Sequence, residues 1–476
     1  MESRRTLRLV AALASIVVAT VVLAPPGTPA SADSGCPSAV APTLVSGSFE
    51  IDTLAKLQWL KDTGSKSSNY KLTADVNMTG CTWSAGIGTG PTPFSGVFDG
   101  NSKTISNLTI SGVSYLGLFS YFSGSVSNLT LTSPSITASS QFAAPLVGDL
   151  KSGGSVSNIT VTNVSVSSVN QYSGGVVAYS RAGSTVNNVT VSGTVLSSTG
   201  VGGGVVALAE GSLTNLTSTA TVTGSFNVGG LAGSVNNAGS ITNGTASGSV
   251  TATNSSAGGA VGSAGGTSPT CGTITGVTTS GTVKAPFYAG GVLGSGNCYY
   301  IDRTSLSSTI TTTSYAAGGI VGYDNFPGEV ANSYFTGSVT GSQWVGGIAG
   351  LSRSKISDSY SLGAVTTTYN DQVGGLVGSL RNAGGAYPNA SITNSFAAGL
   401  VTPSPLSQGS STNGKGLVGE YQGGTITASV WDKTATGRST SAGTGATGYT
   451  TQQLRDYVLY NADNLNWDIT DGISSG

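Results

Sequence analysis

Apolar and polar residues trade places along this chain with a period of two. In the run NVTVSGTV, Val189, Val191 and Val195 share one face with Gly193, while Thr190, Ser192 and Thr194 share the other. That is the spacing of a strand with one buried side. The stretches are short, end in turn residues, and recur. A word of the form Gly-Gly-apolar-apolar-small starts at Gly174, Gly203, Gly229, Gly258, Gly290, Gly318, Gly346 and Gly374, with a variant at Lys415. Most intervals are 26 to 32 residues; the last, of 41, contains an insertion from Thr402 to Gly414. AAPLVG from Ala143 and YLGLFS from Tyr115 are degenerate first copies. A second word precedes each of these by about 15 residues, as in SNLTL from Ser127, SNITV from Ser157 and NNVTV from Asn187. A third, such as SGTV from Ser192 or TGSV from Thr336, follows it.

Three short strands and three turns fill one such unit, and a unit of that size cannot bury its own apolar side. It must stack on its neighbours, which is the logic of a solenoid. Equivalent strands then pair in parallel at about 4.8 Å. The expected fold is all-β: a right-handed parallel β-helix of about eleven coils, with its hand set by the general bias of crossover connections. The glycine pairs read as architecture, turning a corner at positive φ or letting backbone approach backbone. A phosphate-binding loop would need a following helix and, usually, a lysine. The recurrent Asn128, Asn158, Asn188, Asn215, Asn243, Asn332 and Asn394 are expected to stack as an amide ladder at another turn.

Composition narrows the chemistry. Only 8% of the 476 residues are charged, the net charge is −1, and 72 are glycine. No global field points to nucleic acid. There is no histidine, which removes Ser-His-Asp and Cys-His machinery and His-ligated zinc; no metal site and no cofactor is expected. Residues 1–32 have a basic start at Arg4, Arg5 and Arg8, an apolar run from Leu9 to Ala24, and the small-residue site Ala30-Ser31-Ala32. They read as an export signal, with Ser3 to Leu7 faintly similar to a twin-arginine signal. No second membrane segment is expected after its removal. Four cysteines in an exported chain imply two disulfides.

VGGIAG, VGGLVG and AGGIVG resemble the GLUG repeat. PFSGVFDGNSKTISNLTI from Pro93 is similar to the entry coil of GLUG and pectin-lyase-like β-helices, and the segment from Val430 resembles the closing part of GLUG arrays. The resemblance implies an extracellular or surface setting and no single activity. The chain divides into the signal (1–32), an N-terminal cap and entry (33–87), the repeat array (88–430) and a closing segment (431–476). Short helices are expected to cap the ends, over Asp52 to Asp62 and Thr450 to Tyr460. Cys36 and Cys81 flank the first cap and would staple it. Cys271 and Cys298 precede their next glycine pairs by 19 and 20 residues, so they belong on adjacent coils within bonding reach.

Nine carboxylates lie between Gly88 and Val430, among them Asp371. Asp302, Asp324, Glu329 and Asp358 fall on neighbouring coils and are the candidates for an acidic catalytic pair of a polysaccharide hydrolase or lyase; the plain alternative is solvated turn residues. Seven residues after each first glycine runs a polar corner that includes Lys151, Arg181, Glu210, Asn236, Asn297, Asn325, Arg353 and Arg381. With Lys355, Arg353 and Arg381 form a candidate cationic edge for an anionic polymer, Asp358 being the only acid near them in sequence. Aromatics before the glycine pairs, including Tyr288, Tyr315 and Trp344, are candidate sugar-stacking residues or a self-packing ladder. Thr160, Thr190, Thr217 and Thr245 form an outward column, for which ice binding is a remote alternative. The expected function is a non-enzymatic surface or matrix protein binding glycan or cell-envelope polymer.

Overall fold

The computed structural model describes residues 33–267, 270–369, 372–382, 384, 390–405 and 414–455. The expected export signal and Asp371 lie outside them.

The strands form one sheet of 38 and a second of eleven. The smaller sheet runs from Phe119–Phe122 to Val418–Gln422, one strand per coil, each parallel to the next. The chain is a parallel β-solenoid of about eleven turns. Register explains the period-two pattern. Val126, Val156, Val186, Leu213, Ile241 and Ile274 pair rung on rung and are all buried. Full burial of each such side chain contributes about 1.5–3 kcal/mol, offset by the entropy of ordering the coil. The Thr160, Thr190, Thr217, Thr245 column also stacks in register.

The two reasons given for the glycine pairs separate here. Gly203, Gly229 and Gly318 are not at positive φ. A Cβ on Gly203 would run into the Val206 carbonyl oxygen, and one on Gly204 into that of Gly230, at separations real Cβ atoms do not adopt. Close backbone approach is therefore the requirement. Positive φ belongs to the asparagine column instead, at 55° in Asn128, 54° in Asn158 and 52° in Asn188, a region asparagine tolerates better than most residues. The amides do form a ladder. Asn158 Nδ2 donates to Asn128 Oδ1 at 3.0 Å, and Asn188 to Asn158 at 2.8 Å. The ladder then steps by one residue, Asn215 donating to Asn187 at 3.2 Å.

The entry is capped by a helix over Leu54–Asp62, with Thr53 as N-cap and Leu57 and Leu60 buried. At the far end, the expected helix is a single 3₁₀ turn over Gln453–Arg455 in its described part; residues 456–460 lie outside the described residues. A four-residue helix over Lys433–Thr436 was not expected. Asp432 starts it by accepting from the backbone N–H of Thr434 and Ala435 at 2.8 and 3.0 Å, the usual role of an N-cap carboxylate. Both disulfides pair as expected, Cys36–Cys81 and Cys271–Cys298, with Cα separations of 4.4 and 4.6 Å. Among the described residues, no helix is long and apolar enough to cross a membrane.

Candidate functional site

One column of the eleven-stranded sheet stands five residues after each first glycine. It reads Tyr179, Leu208, Ser234, Ser263, Ser295 and Tyr323 on six successive rungs. Three serines between larger residues leave a dip. The neighbouring column drops as well: Tyr172 pairs with Val201, and on the far side Ser256 pairs with Tyr288. The result is a trough of about 490 Å³ along the rod, within the usual range for ligand sites. Its ends are Tyr172 and the Tyr288–Tyr323 pair, and Asn236, Asn297 and Asn325 form one side. Ser234 Oγ and Ser263 Oγ are hydrogen-bonded at 2.9 Å, and Ser295 Oγ and Ser256 Oγ at 3.0 Å.

Each end is held by stacked rings and a cation. At one end Tyr115, Phe142 and Tyr172 stack with centroids 4.8 and 4.7 Å apart. Asp149 is fully buried beneath, gripped by Arg181 at 2.7 Å and Lys151 at 2.6 Å. The Tyr179 hydroxyl donates to Glu210 at 2.8 Å. Burial first, then that carboxylate, push the phenol up to about 12. At the other end the Tyr288 and Tyr323 rings lie 4.5 Å apart, and Arg353 Nη1 donates to the Tyr323 hydroxyl at 3.0 Å and to Asn325 Oδ1 at 2.9 Å. Beyond it, Tyr315 and Trp344 are 5.9 Å apart, with the Arg381 guanidinium 4.5 Å from the Trp344 ring.

The corner column stacks as its spacing implied: Asn236 pairs with Gly265, and Arg381 with Gln422. The picture of three cations with Asp358 as their only acid does not hold. Arg381 pairs with Glu420 at 2.9 Å. That acid is 39 residues away in sequence, carried past Arg381 by the long last interval. Burial pushes the Glu420 carboxyl up, but hydrogen bonds from Ser379, Arg381 and Gln422 outweigh it and hold it below its usual range. Lys355 lies on the larger sheet, in register with Glu329. Of the expected ligand-binding residues, Tyr288 lines the trough and Arg353 braces its rim, whereas Tyr315, Trp344, Lys355 and Arg381 lie outside its lining.

The acidic candidates do not form one cluster. Asp358 and Asp302 join the amide ladder, accepting from Asn394 at 3.1 Å and Asn332 at 2.8 Å; Asp302 also pairs with Arg303 at 3.0 Å. Glu329 stands on the rung after Tyr300. Asp324 is not a solvated turn residue. It is fully buried, and accepts from the backbone N–H of Phe326 at 2.9 Å and of Arg353 at 3.0 Å. Burial raises its carboxyl above the usual range despite those bonds. Tyr299, equally buried, is pushed well up by burial and by the Asp324 charge. Because the folded state holds the proton more tightly than the unfolded chain, this group's contribution to stability falls as pH rises from 3.8 through the raised value. Asp324→Asn keeps an oxygen acceptor and removes the charge. It is expected to raise the melting temperature near neutral pH, with the gain shrinking toward about pH 4. Melting curves of both proteins across that range check the sign; a gain that does not change with pH contradicts it.

Residues 313–340 match the family model described as the GLUG motif. The chain carries a GLUG motif. The matched stretch is one coil long and contains Gly318, which pairs in register with Gly290 and Gly346. Halomucin of Haloquadratum walsbyi is 36% identical over 102 residues, 20% of this chain and 1% of that protein. The chain thus spans about 1% of the length of the curated relative it matches. A solved structure from Bacteroides ovatus whose description names an immunoglobulin A1 protease covers 86% of this chain and 85% of its own, at 16% identity and a TM-score of 0.31. A superposition at that level carries no argument.

Proposed function

We propose that this protein works outside the cell as a non-enzymatic β-solenoid that binds glycan or a cell-envelope polymer. The GLUG coil, the partial likeness to halomucin and two disulfides support the surface setting. The observation that carries the binding reading is the trough: aromatic ends, a hydroxyl and amide lining, and no ionisable carboxylate or amine along it. Such a site can hold a polyhydroxylated chain but offers no carboxylate, imidazole or amine as general acid or base for cleaving one, and its tyrosine Tyr288 is pushed above the usual phenol range by burial. Hydrolysis or elimination on the other face would rest on Asp302 and Glu329, on adjacent rungs. Polysaccharides should be assayed together for retention and for new reducing ends or unsaturated products. Retention without turnover is the expected result. Turnover that disappears in Asp302→Ala or Glu329→Gln overturns it.

A further inference from the structure

We propose that the serine-floored trough is a subsite for a neutral glycan chain running along the solenoid axis, with Tyr172 and Tyr288 packing on sugar faces at its two ends. This rests on the reading that the protein binds glycan, and it names where and of what class. Tyr172 and Tyr288 stand four rungs apart, about 19 Å at the rung spacing, so a run of several sugar units would lie between them. Aromatic rings suit the apolar C–H faces of sugars, and amides and hydroxyls suit their edges.

The amides are free to do this. Among the described residues, the side chains of Asn227, Asn236 and Asn297 make no hydrogen bond to another protein group, while the asparagines of the turn ladder are paired with one another. Asn236 and Asn297 converge over Gly265, where an added Cβ would come within 3.2 Å of one amide oxygen and 3.5 Å of the other. Each amide can both donate and accept, matching a hydroxyl-rich chain.

Charge argues for a neutral ligand. No Asp, Glu, Lys or Arg lines the trough. The nearest charges, Glu210 and Arg353, stand at opposite ends of its side and are bonded to Tyr179 and Tyr323. They fix the walls, and their opposite signs favour neither an anionic nor a cationic polymer. A peptide is disfavoured for a different reason. Capture of an extended peptide by strand addition needs a free sheet edge, and the strands beneath the trough are paired on both sides. Because the floor is a stacked sheet, the site is formed before the ligand arrives, which lowers the ordering cost of binding.

The test uses the full chain with its disulfides, and soluble dextran, mannan, mixed-linkage glucan, alginate and polygalacturonate, by affinity electrophoresis and calorimetry at low and high salt. Ser263→Tyr fills the floor with a residue the same column carries at Tyr179 and Tyr323, so the fold should accept it; a melting curve checks that. Tyr288→Ala removes one end. The expected result is binding of at least one neutral polymer that salt leaves unchanged, weakened about tenfold or more by each variant. Neutral binding that both folded variants retain overturns the trough as the site and leaves the glycan reading standing. Binding of acidic polymers alone, lost with salt, overturns the neutral class. Binding of none of these glycans overturns both.

Discussion

Gly318→Ala is expected to destabilise the protein by more than about 4 kcal/mol and to abolish soluble expression. A single methyl group does this because of where it would sit. The Cβ would meet the carbonyl of Val321 and the backbone nitrogen of Gly350, all within the 3.0 Å that real Cβ atoms do not enter. No flexible side chain can yield, since every obstacle is backbone. Gly318 is also paired in register with Gly290 before it and Gly346 after it. Moving it displaces its neighbours, and in a stacked array a displaced coil loses both nearest-neighbour interfaces. Gly90→Ala is the control. A Cβ there meets only the Tyr121 ring at 3.8 Å, so its effect should stay within about 0.5 kcal/mol. Yield and thermal unfolding of the two variants separate the cases; similar behaviour would mean that glycine recurs in the word for some reason other than close approach.

Much of the fold is legible because a solenoid writes its register into its spacing. The interval places Cys271 beside Cys298, the asparagines above one another, and the corner residues in a column. What stays hidden is whatever depends on the shape a spacing cannot express. A glycine looks the same whether positive φ or close approach requires it, and here the left-handed corner fell to asparagine. Asp324 looks like a turn residue, yet it is the last residue of the strand Val321–Asp324, and Gly296 on the preceding rung leaves room for the buried Tyr299 ring. The Arg381–Glu420 pair was concealed by the insertion between their coils. The trough was hardest to see, because it is a deficit. The residues seven after each glycine and those before it carry visible chemistry, whereas Ser234, Ser263 and Ser295 gain meaning only against Tyr179, Leu208 and Tyr323 in the same column. Laying the fifth position of every repeat side by side would have exposed it.

Replacing Cys36 and Cys81 together by serine is expected to cost about 4 kcal/mol on chain-entropy grounds, against about 3.5 for the Cys271–Cys298 pair, since the bridges span 45 and 27 residues. Position sharpens the difference. The first bridge closes the entry end of the tube, where, among the described residues, no earlier coil covers the core. Beside it, Ser34 and Thr82 exchange backbone hydrogen bonds of 3.0 and 2.9 Å. Asp33 accepts from Lys61 at 2.6 Å, from Gln58 at 2.9 Å and from the Ser84 N–H at 2.9 Å. Gln58 in turn accepts from the buried Trp83 indole at 2.7 Å. This network ties the capping helix to the entry strand. Burial pushes the Asp33 carboxyl up, but the bonds from Lys61, Ser84 and Gln58 prevail and hold it below its usual range. Its contribution is therefore present above pH 3.8 and lost as pH falls through the lowered folded value. Acid and loss of the bridge should thus weaken the same end of the rod. Hydrogen exchange at Leu54–Asp62 should quicken first in the Cys36→Ser, Cys81→Ser protein, and more so in acid once the intrinsic pH effect on exchange is removed. The Cys271→Ser, Cys298→Ser protein should instead loosen mid-rod and keep its cap. Equal protection of the cap in both proteins would show that the stacked coils, and not the covalent tie, hold the entrance shut.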